Sequence, residues 1–187
     1  MIVILGLLVL VVILFAVPLW MVGVYNRLIT LRNVVETTWA QTDVQLRRRH
    51  DLIPNLVETV KGYATHERET FEKVIQARNA AGNATTPQAR VAAENALTGA
   101  IKSVFAVAEA YPELKANQNF LSLQEELTNT EGFIARCRSQ YNNDVLAYNN
   151  ALQVFPANAV AAMLTLRPRE YFGVPDDAVR APVKAQF

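Results

Sequence analysis

Residues 28–63 read LITLRNVVETTWAQTDVQLRRRHDLIPNLVETVKGY, and this stretch decides the fold. Side chains at steps of three and four lie on one face of a helix, and here they are apolar or small with the exception of Arg49. The resulting stripe consists of Leu28, Leu31, Val35, Thr38, Thr42, Leu46, Arg49, Ile53, Leu56, Val60 and Tyr63. The stripe keeps its phase across Pro54, so the spacing predicts one long helix with a kink and no domain boundary there.

An apolar segment precedes this helix. All but three of the first 25 residues are apolar, and residues 1–26 carry no charged side chain. As a helix this segment would reach roughly 35 Å, enough to cross a hydrocarbon core. A cleaved signal peptide is the alternative, but no Lys or Arg precedes the run, it is too long for an apolar signal core, and no Ala-x-Ala site follows. We therefore expect residues 1–26 to be a transmembrane anchor in contact with membrane lipid.

The charges beside the anchor predict its orientation. Arg27 and Arg32 follow the span closely, and only the α-amino group precedes it, which places the C-terminal side in the cytoplasm. The expected topology is single-pass in the inner (cytoplasmic) membrane, with the N-terminus outside. A single cysteine, Cys137, fits a reducing compartment.

Further helical stripes follow the first. Residues 82–88, GNATTPQ, contain the glycine, threonine and proline signals of a loop between helices, and Pro112 ends the alanine-rich helix after it. The last stripe consists of Phe120, Leu123, Leu127, Thr130, Ile134, Cys137, Tyr141, Val145, Tyr148, Leu152 and Phe155. No segment alternates with a period of two, so no sheet is expected.

These stripes predict an all-α protein in which the N-terminal transmembrane helix continues into an elongated antiparallel four-helix bundle with coiled-coil-like packing. The bundle covers residues 27–155 and lies in the cytoplasm. Its membrane-near half is expected to be a two-helix hairpin that exposes Val34 and Tyr148. Residues 156–187 are expected to form a short amphipathic helix and a C-terminal tail, with Arg167 and Arg169 near lipid headgroups or with the helix capping the hairpin.

Composition and motifs argue against several functions. The chain has 187 residues with 18 Lys plus Arg against 17 Asp plus Glu, and this balance disfavours a nucleic-acid binder. His50 and His66 lie at no metal-ligand spacing, and the sequence has no phosphate-binding glycine loop or nucleophile elbow. We therefore expect no enzyme activity, no catalytic residue, no cofactor and no metal.

Arg47, Arg48 and Arg49 form the one basic run. It is either a site for an anionic ligand or a set of ion pairs with carboxylates on a neighbouring helix, the second being favoured. Thr130 and Glu131 interrupt the last stripe as Arg49 interrupts the first, and antiparallel helices would bring these breaks together. The spacing thus predicts that Arg48 or Arg49 meets Glu131 in a polar layer.

The segment DVQLRRRHDLIPNLVETVKGYATHE, within residues 25–81, closely resembles the LemA family, and so does AYPELKANQNFLSLQEELTNTE at residues 110–131. The chain departs from the family pattern at Gly132, Phe133 and Cys137. The resemblance implies a membrane protein with one N-terminal span and an antiparallel helical bundle, and it implies little about biochemical role.

Two functional hypotheses follow. The first is a structural or scaffolding membrane protein that forms homo-oligomers, because its alanine-rich helices permit close packing. The second is a membrane-anchored adaptor that binds another membrane protein, such as a protease. A defined multimer of the purified protein would favour the first, and a monomer with one stoichiometric partner would favour the second.

Overall fold

A computed structural model of the chain describes residues 2–64 and 66–173. These residues form α1 (Ile2–Lys61), α2 (Arg68–Asn83), α3 (Pro87–Glu109), α4 (Pro112–Lys115), α5 (Gln118–Gln153) and α6 (Ala157–Met163). No strand occurs over the described ranges, so the all-α prediction is confirmed. The end of the expected C-terminal tail, residues 174–187, lies outside the described residues.

Local sequence explains where the helices begin and end. The helix α1 runs through Pro54 without a break and ends immediately before Gly62. The Thr86 side chain accepts a hydrogen bond from the Ala89 backbone N–H at 3.2 Å, which caps the N-terminus of α3. Pro112 opens the short α4, which the sequence pattern does not predict.

The chain divides into two compact units, which we describe over their described residues. The first unit comprises Met1–Thr38 and Asn143–Arg169, and the second comprises Trp39–Asn142 and Glu170–Phe187. The helices α1 and α5 contribute to both units.

The second unit has a continuous apolar core supplied by five helices. Its buried members are Ile53, Leu56, Val57, Val60, Ala64, Phe71, Val74, Ala81, Leu97, Ile101, Val104, Ala108, Leu114, Phe120 and Leu127. The members from α1 and α5 that occupy stripe positions are Ile53, Leu56, Val60, Phe120 and Leu127, so the helical spacing correctly predicts that these side chains leave water. Burial of this apolar surface is the main favourable contribution to folding of the unit.

The first unit packs α5 and α6 residues with the part of α1 that follows the apolar segment. Its buried side chains include Leu28, Val35, Val145, Leu152 and Val160. Tyr148 is only 1% exposed, so the expectation that it faces solvent is wrong. Val34 is exposed, as expected.

Within the described part of the chain, two helices are long and apolar enough to cross a membrane, judged by length and composition. The apolar window of α1 is not buried at all, whereas that of α3 is 28% buried. Leu97, Ile101 and Val104 of α3 belong to the core of the second unit. The helix α3 therefore belongs to the core, and the apolar part of α1 is the candidate membrane-spanning segment.

A tight turn follows α6. The backbone N–H of Leu166 donates to the Ala161 carbonyl at 3.1 Å, and that of Thr165 donates to the Ala162 carbonyl at 3.2 Å. This pattern needs a left-handed residue after the helix, and Thr165 supplies it with φ of 52°. The turn redirects the chain into residues 166–169.

A buried arginine cluster as the candidate functional site

The three consecutive arginines of α1 point in different directions, because neighbouring residues of a helix are about 100° apart. Arg47 is exposed and donates to Asp43 on its own helix at 2.8 Å. Arg48 donates to Glu126 of α5, also at 2.8 Å. Arg49 is only 2% exposed. The three arginines therefore lie in three separate environments and form no single basic patch.

Arg49 is held by groups from two other helices. One of its terminal nitrogens, Nη1, donates to Glu131 Oε2 at 2.7 Å and to Thr98 Oγ1 at 2.9 Å. The other, Nη2, donates to a carboxylate oxygen of Glu94. Among the described residues its Nε has no partner. The structure thus brings Arg49 and Glu131 together, as the spacing of the two stripes predicts, and Arg48 pairs elsewhere.

Glu94 completes the cluster and is not among the residues that the sequence pattern predicts for it. Its carboxylate is buried and bonds to Arg49 through one oxygen and to His50 Nε2 through the other, at 2.9 Å. Glu94 lies three residues before the core residue Leu97, on the inner face of α3. A charged residue on an apolar stripe is the same signal that Arg49 gives on α1, and it could have identified Glu94.

The electrostatics of Glu94 favour its ionised form. Burial raises the pKa of this carboxyl, but the hydrogen bond with His50 and the charge and hydrogen bond of Arg49 outweigh burial. The net result is a pKa below the ordinary glutamate value. Glu94 is therefore a carboxylate in the folded protein at neutral pH.

Hydrogen bonds to the backbone fix the remaining members of the cluster. Thr98 Oγ1 lies 3.1 Å from the Glu94 carbonyl oxygen and 3.2 Å from Glu131 Oε1, and its single proton can be donated to either. Arg78 Nε of α2 donates to the His50 carbonyl at 2.8 Å. Groups from α1, α2, α3 and α5 therefore meet at this layer.

A second arginine, Arg138 of α5, adjoins the cluster. Burial lowers the pKa of its guanidinium, and the charge of Arg49 lowers it further, while Glu131 and Glu94 act in the opposite direction. The guanidinium lies 4.7 Å above the ring of Phe172. Such a stacked position stabilises a guanidinium that has lost part of its water.

Phe172 belongs to an extended segment docked on the second unit. Its ring centroid lies 5.6 Å from that of Trp39, which in turn lies 5.4 Å from that of Tyr141. The adjacent Gly173 has φ of 83°, and a Cβ there would come within 2.5 Å of Arg138 Nη2. The positive φ favours glycine here, and a Cβ would displace the flexible end of the Arg138 side chain.

The cluster has the chemistry of a structural layer. Both Glu94 oxygens and both Arg49 terminal nitrogens are engaged with protein groups, so the charged groups of the cluster bind one another. Over the described ranges no group of three His, Cys, Asp or Glu residues could hold a metal ion. Cys137 is half-buried and is not part of the cluster.

These features define a class: an all-helical protein with an apolar N-terminal helix and a layer of charged side chains inside its helical core. The model of the LemA family matches residues 38–187. The chain belongs to the LemA family, as the resemblance in its sequence predicts.

Individual relatives are more distant. Protein LemA of Metamycoplasma hominis is 27% identical over 149 residues, which cover 78% of this chain and 67% of that protein. Magnetosome protein MamQ of Magnetospirillum gryphiswaldense is 21% identical over 174 residues, covering 79% of this chain and 64% of that protein. Magnetosome protein MamQ 2 of Paramagnetospirillum magneticum is 23% identical with the same coverage. The chain thus spans about two thirds of the length of these relatives.

Proposed function

We propose that the chain is a non-enzymatic, single-pass membrane protein whose helical domain self-associates as a structural scaffold at the cytoplasmic membrane. The observation that carries this proposal is the apolar window of α1, which none of the described residues buries. Large side chains such as Leu5, Phe15 and Leu19 are exposed along it. An apolar surface of that length is stable in a lipid phase and unstable in water.

The proposed orientation places the N-terminus outside and the helical domain in the cytoplasm. Arg27 and Arg32 support it, because basic residues that follow a span are retained on the cytoplasmic side.

The proposed arrangement of the domain is an antiparallel four-helix bundle with coiled-coil-like packing. Two contacts within the second unit join α1 to α5, Trp39 with Tyr141 and Arg49 with Glu131. A third contact, Tyr63 with Asn117, joins the residues just beyond these helix ends and supports the same antiparallel pairing. From one contact to the next, the first residue number rises by as much as the second falls, as expected for antiparallel helices. The two shorter helices α2 and α3 would supply the other two members.

A structural role fits the buried cluster better than catalysis does. Its charged groups neutralise one another, and a buried polar layer of this kind is best known for fixing helix register. The names of the relatives also indicate no reaction.

Self-association is supported by exposed apolar side chains on the second unit. Val44 of α1 is 61% exposed, and Leu121 and Phe133 of α5 are each 45% exposed. The Arg48–Glu126 ion pair connects α1 and α5 near these positions in sequence. Burying exposed apolar surface in a contact between copies would remove it from water.

Native mass spectrometry of the detergent-solubilised full chain tests this proposal. We expect a defined multimer that becomes smaller when Val44→Ser and Phe133→Ser are combined. The control is Gly99→Ser on α3, where an added Cβ meets nothing within 4 Å, and it should leave the multimer unchanged. A monomer that recovers one stoichiometric membrane protein would contradict scaffolding and support the adaptor alternative.

A further inference from the structure

We propose that the first unit carries a binding site for an acidic phospholipid, with the phosphate held by arginines and the glycerol and acyl region held by apolar side chains. The inference rests on the membrane anchoring in the proposed function and is independent of self-association. Two adjacent cavities of the first unit carry it.

The first cavity is basic. It has a volume of about 310 Å³ and is lined by Arg32, Tyr148, Leu164, Thr165, Leu166, Arg167, Pro168 and Arg169. Three of these residues are arginines, and none is acidic. Guanidinium groups bind phosphate through paired hydrogen bonds, so the lining matches a phosphate group.

One carboxylate neutralises only part of this charge. Glu36 Oε1 accepts hydrogen bonds from Arg32 Nε at 3.1 Å and from Arg169 Nη2 at 2.7 Å. A single oxygen therefore draws two guanidinium groups together. Arg167 makes no ion pair with any described residue. Three positive charges facing one negative charge leave the cavity attractive to an anion.

The second cavity is apolar. It has a volume of about 220 Å³ and is lined by Met21, Val22, Tyr25, Val160, Met163 and Leu164. Leu164 lines both cavities, so the basic and apolar sites are contiguous. Met163 is 71% exposed, although apolar side chains of α6 such as Val160 are buried beside it. A molecule that fills both cavities needs an anionic end and an apolar end.

The position along α1 matches the surface of a bilayer. The apolar cavity includes Tyr25 at the end of the uncharged segment, where tyrosine is favoured at the membrane interface. Arg32 lies seven residues further, which is about 10 Å along a helix. A long arginine side chain can reach back over such a distance toward headgroups. A membrane phospholipid is thus the occupant that fits both the chemistry and the location.

The test measures lipid retention by the full chain in detergent micelles, using native mass spectrometry with phosphatidylglycerol and with phosphatidylcholine of the same acyl chains. We expect phosphatidylglycerol to be retained about tenfold more strongly, because its net negative charge strengthens its contact with guanidinium groups. Arg167→Gln should remove this preference, because Arg167 is the lining arginine that makes no ion pair with a described residue. Circular dichroism should show that this exposed substitution leaves the helices intact.

Arg27→Gln is the matched control, because it removes one exposed charge beside the anchor without altering the cavity lining. It should retain the preference for phosphatidylglycerol. Equal retention of both lipids by the wild-type protein would overturn the site. An equal loss of the phosphatidylglycerol preference in Arg27→Gln and Arg167→Gln would also overturn it, because the preference would then come from diffuse electrostatic attraction. Complete displacement of the lipid by excess inorganic phosphate would also overturn it, because the occupant would then be a free anion.

The same samples separate this site from the anchor. Flotation of the chain with pure phosphatidylcholine vesicles depends on α1 alone, so the wild-type protein and Arg167→Gln should float equally. A chain that does not float contradicts the proposed membrane anchoring, whereas a chain that floats without lipid preference contradicts only the phospholipid site.

Discussion

Arg49 is the most informative single residue of the chain. A buried guanidinium loses its hydration, and this cost is offset only when carboxylates and hydroxyl groups surround it. Glu94, Glu131 and Thr98 provide that environment from α3 and α5. Apolar residues of similar volume could often do as well or better for stability, so specificity of helix register is the better reason for the arrangement.

Substitution of the two carboxylates should have unequal effects. Glu94→Gln leaves the buried Arg49 with the half-exposed Glu131 as its one charged partner, and we expect a loss of about 3–5 kcal/mol in the free energy of unfolding. Glu131 is 47% exposed at its side chain, so Glu131→Gln should cost less than about 1 kcal/mol. Chemical unfolding of the full chain in detergent, followed by circular dichroism, measures both. Equal losses would contradict the dominant role of Glu94.

The lowered pKa of Glu94 also predicts how stability depends on pH. A carboxyl whose pKa is lower in the folded state stabilises the protein fully above its unfolded pKa, and this contribution disappears as the pH falls through the folded value. The wild-type protein should therefore lose stability more steeply than Glu94→Gln below about pH 4. Unfolding curves between neutral and acidic pH would show this difference. Parallel curves for the two proteins would refute the assignment.

At the scale of elements, the asparagines of α5 attach the extended segment that follows α6. In the first unit, Asn149 donates to the Arg169 carbonyl and accepts from its backbone N–H, both at 2.8 Å. In the second unit, Asn142 does the same with Phe172, at 3.1 and 2.7 Å. A side-chain amide has one donor end and one acceptor end, so it can replace the ladder partner that an extended backbone otherwise lacks.

Removing one of these amides should release the segment locally. Asn142→Ala breaks two hydrogen bonds, and we expect a loss of about 2 kcal/mol in the free energy of unfolding, together with faster amide exchange at Phe172. The control is Asn143→Ala, because Asn143 is exposed and has no hydrogen bond from its side chain to the described residues. Hydrogen exchange with mass spectrometric detection measures both variants. Unchanged protection in Asn142→Ala would show that aromatic packing alone holds the segment.

The helices could be predicted from the sequence, because apolar residues spaced by three and four positions lie on one face only if the chain is helical. Ile53, Val60 and Leu127 are buried as their spacing predicts. Phe155 continues the same spacing but is 80% exposed, because α5 ends at Gln153 and the helical geometry no longer applies.

Residues of the candidate site could be predicted only where they lie on a helical stripe. Arg49 and Glu131 interrupt long stripes whose register can be counted, and the structure pairs them. Glu94 interrupts the stripe of α3 in the same way, but this helix is rich in alanine and its stripe is less distinct, so the signal is weaker than that of Arg49. Phe172 lies in a segment without any period, and its docking depends on side-chain amides distant in sequence.

At the scale of the whole molecule, the central claim is that copies of the chain associate within a membrane. The direct measurement is energy transfer between donor-labelled and acceptor-labelled full chains reconstituted in liposomes. A label at Gly82→Cys suits it, because Gly82 is exposed at the end of α2 and an added Cβ meets nothing within 4 Å. Cys137→Ser removes the native thiol. The account predicts transfer that persists when the protein is diluted with lipid, and transfer that falls to the level of random proximity would contradict it.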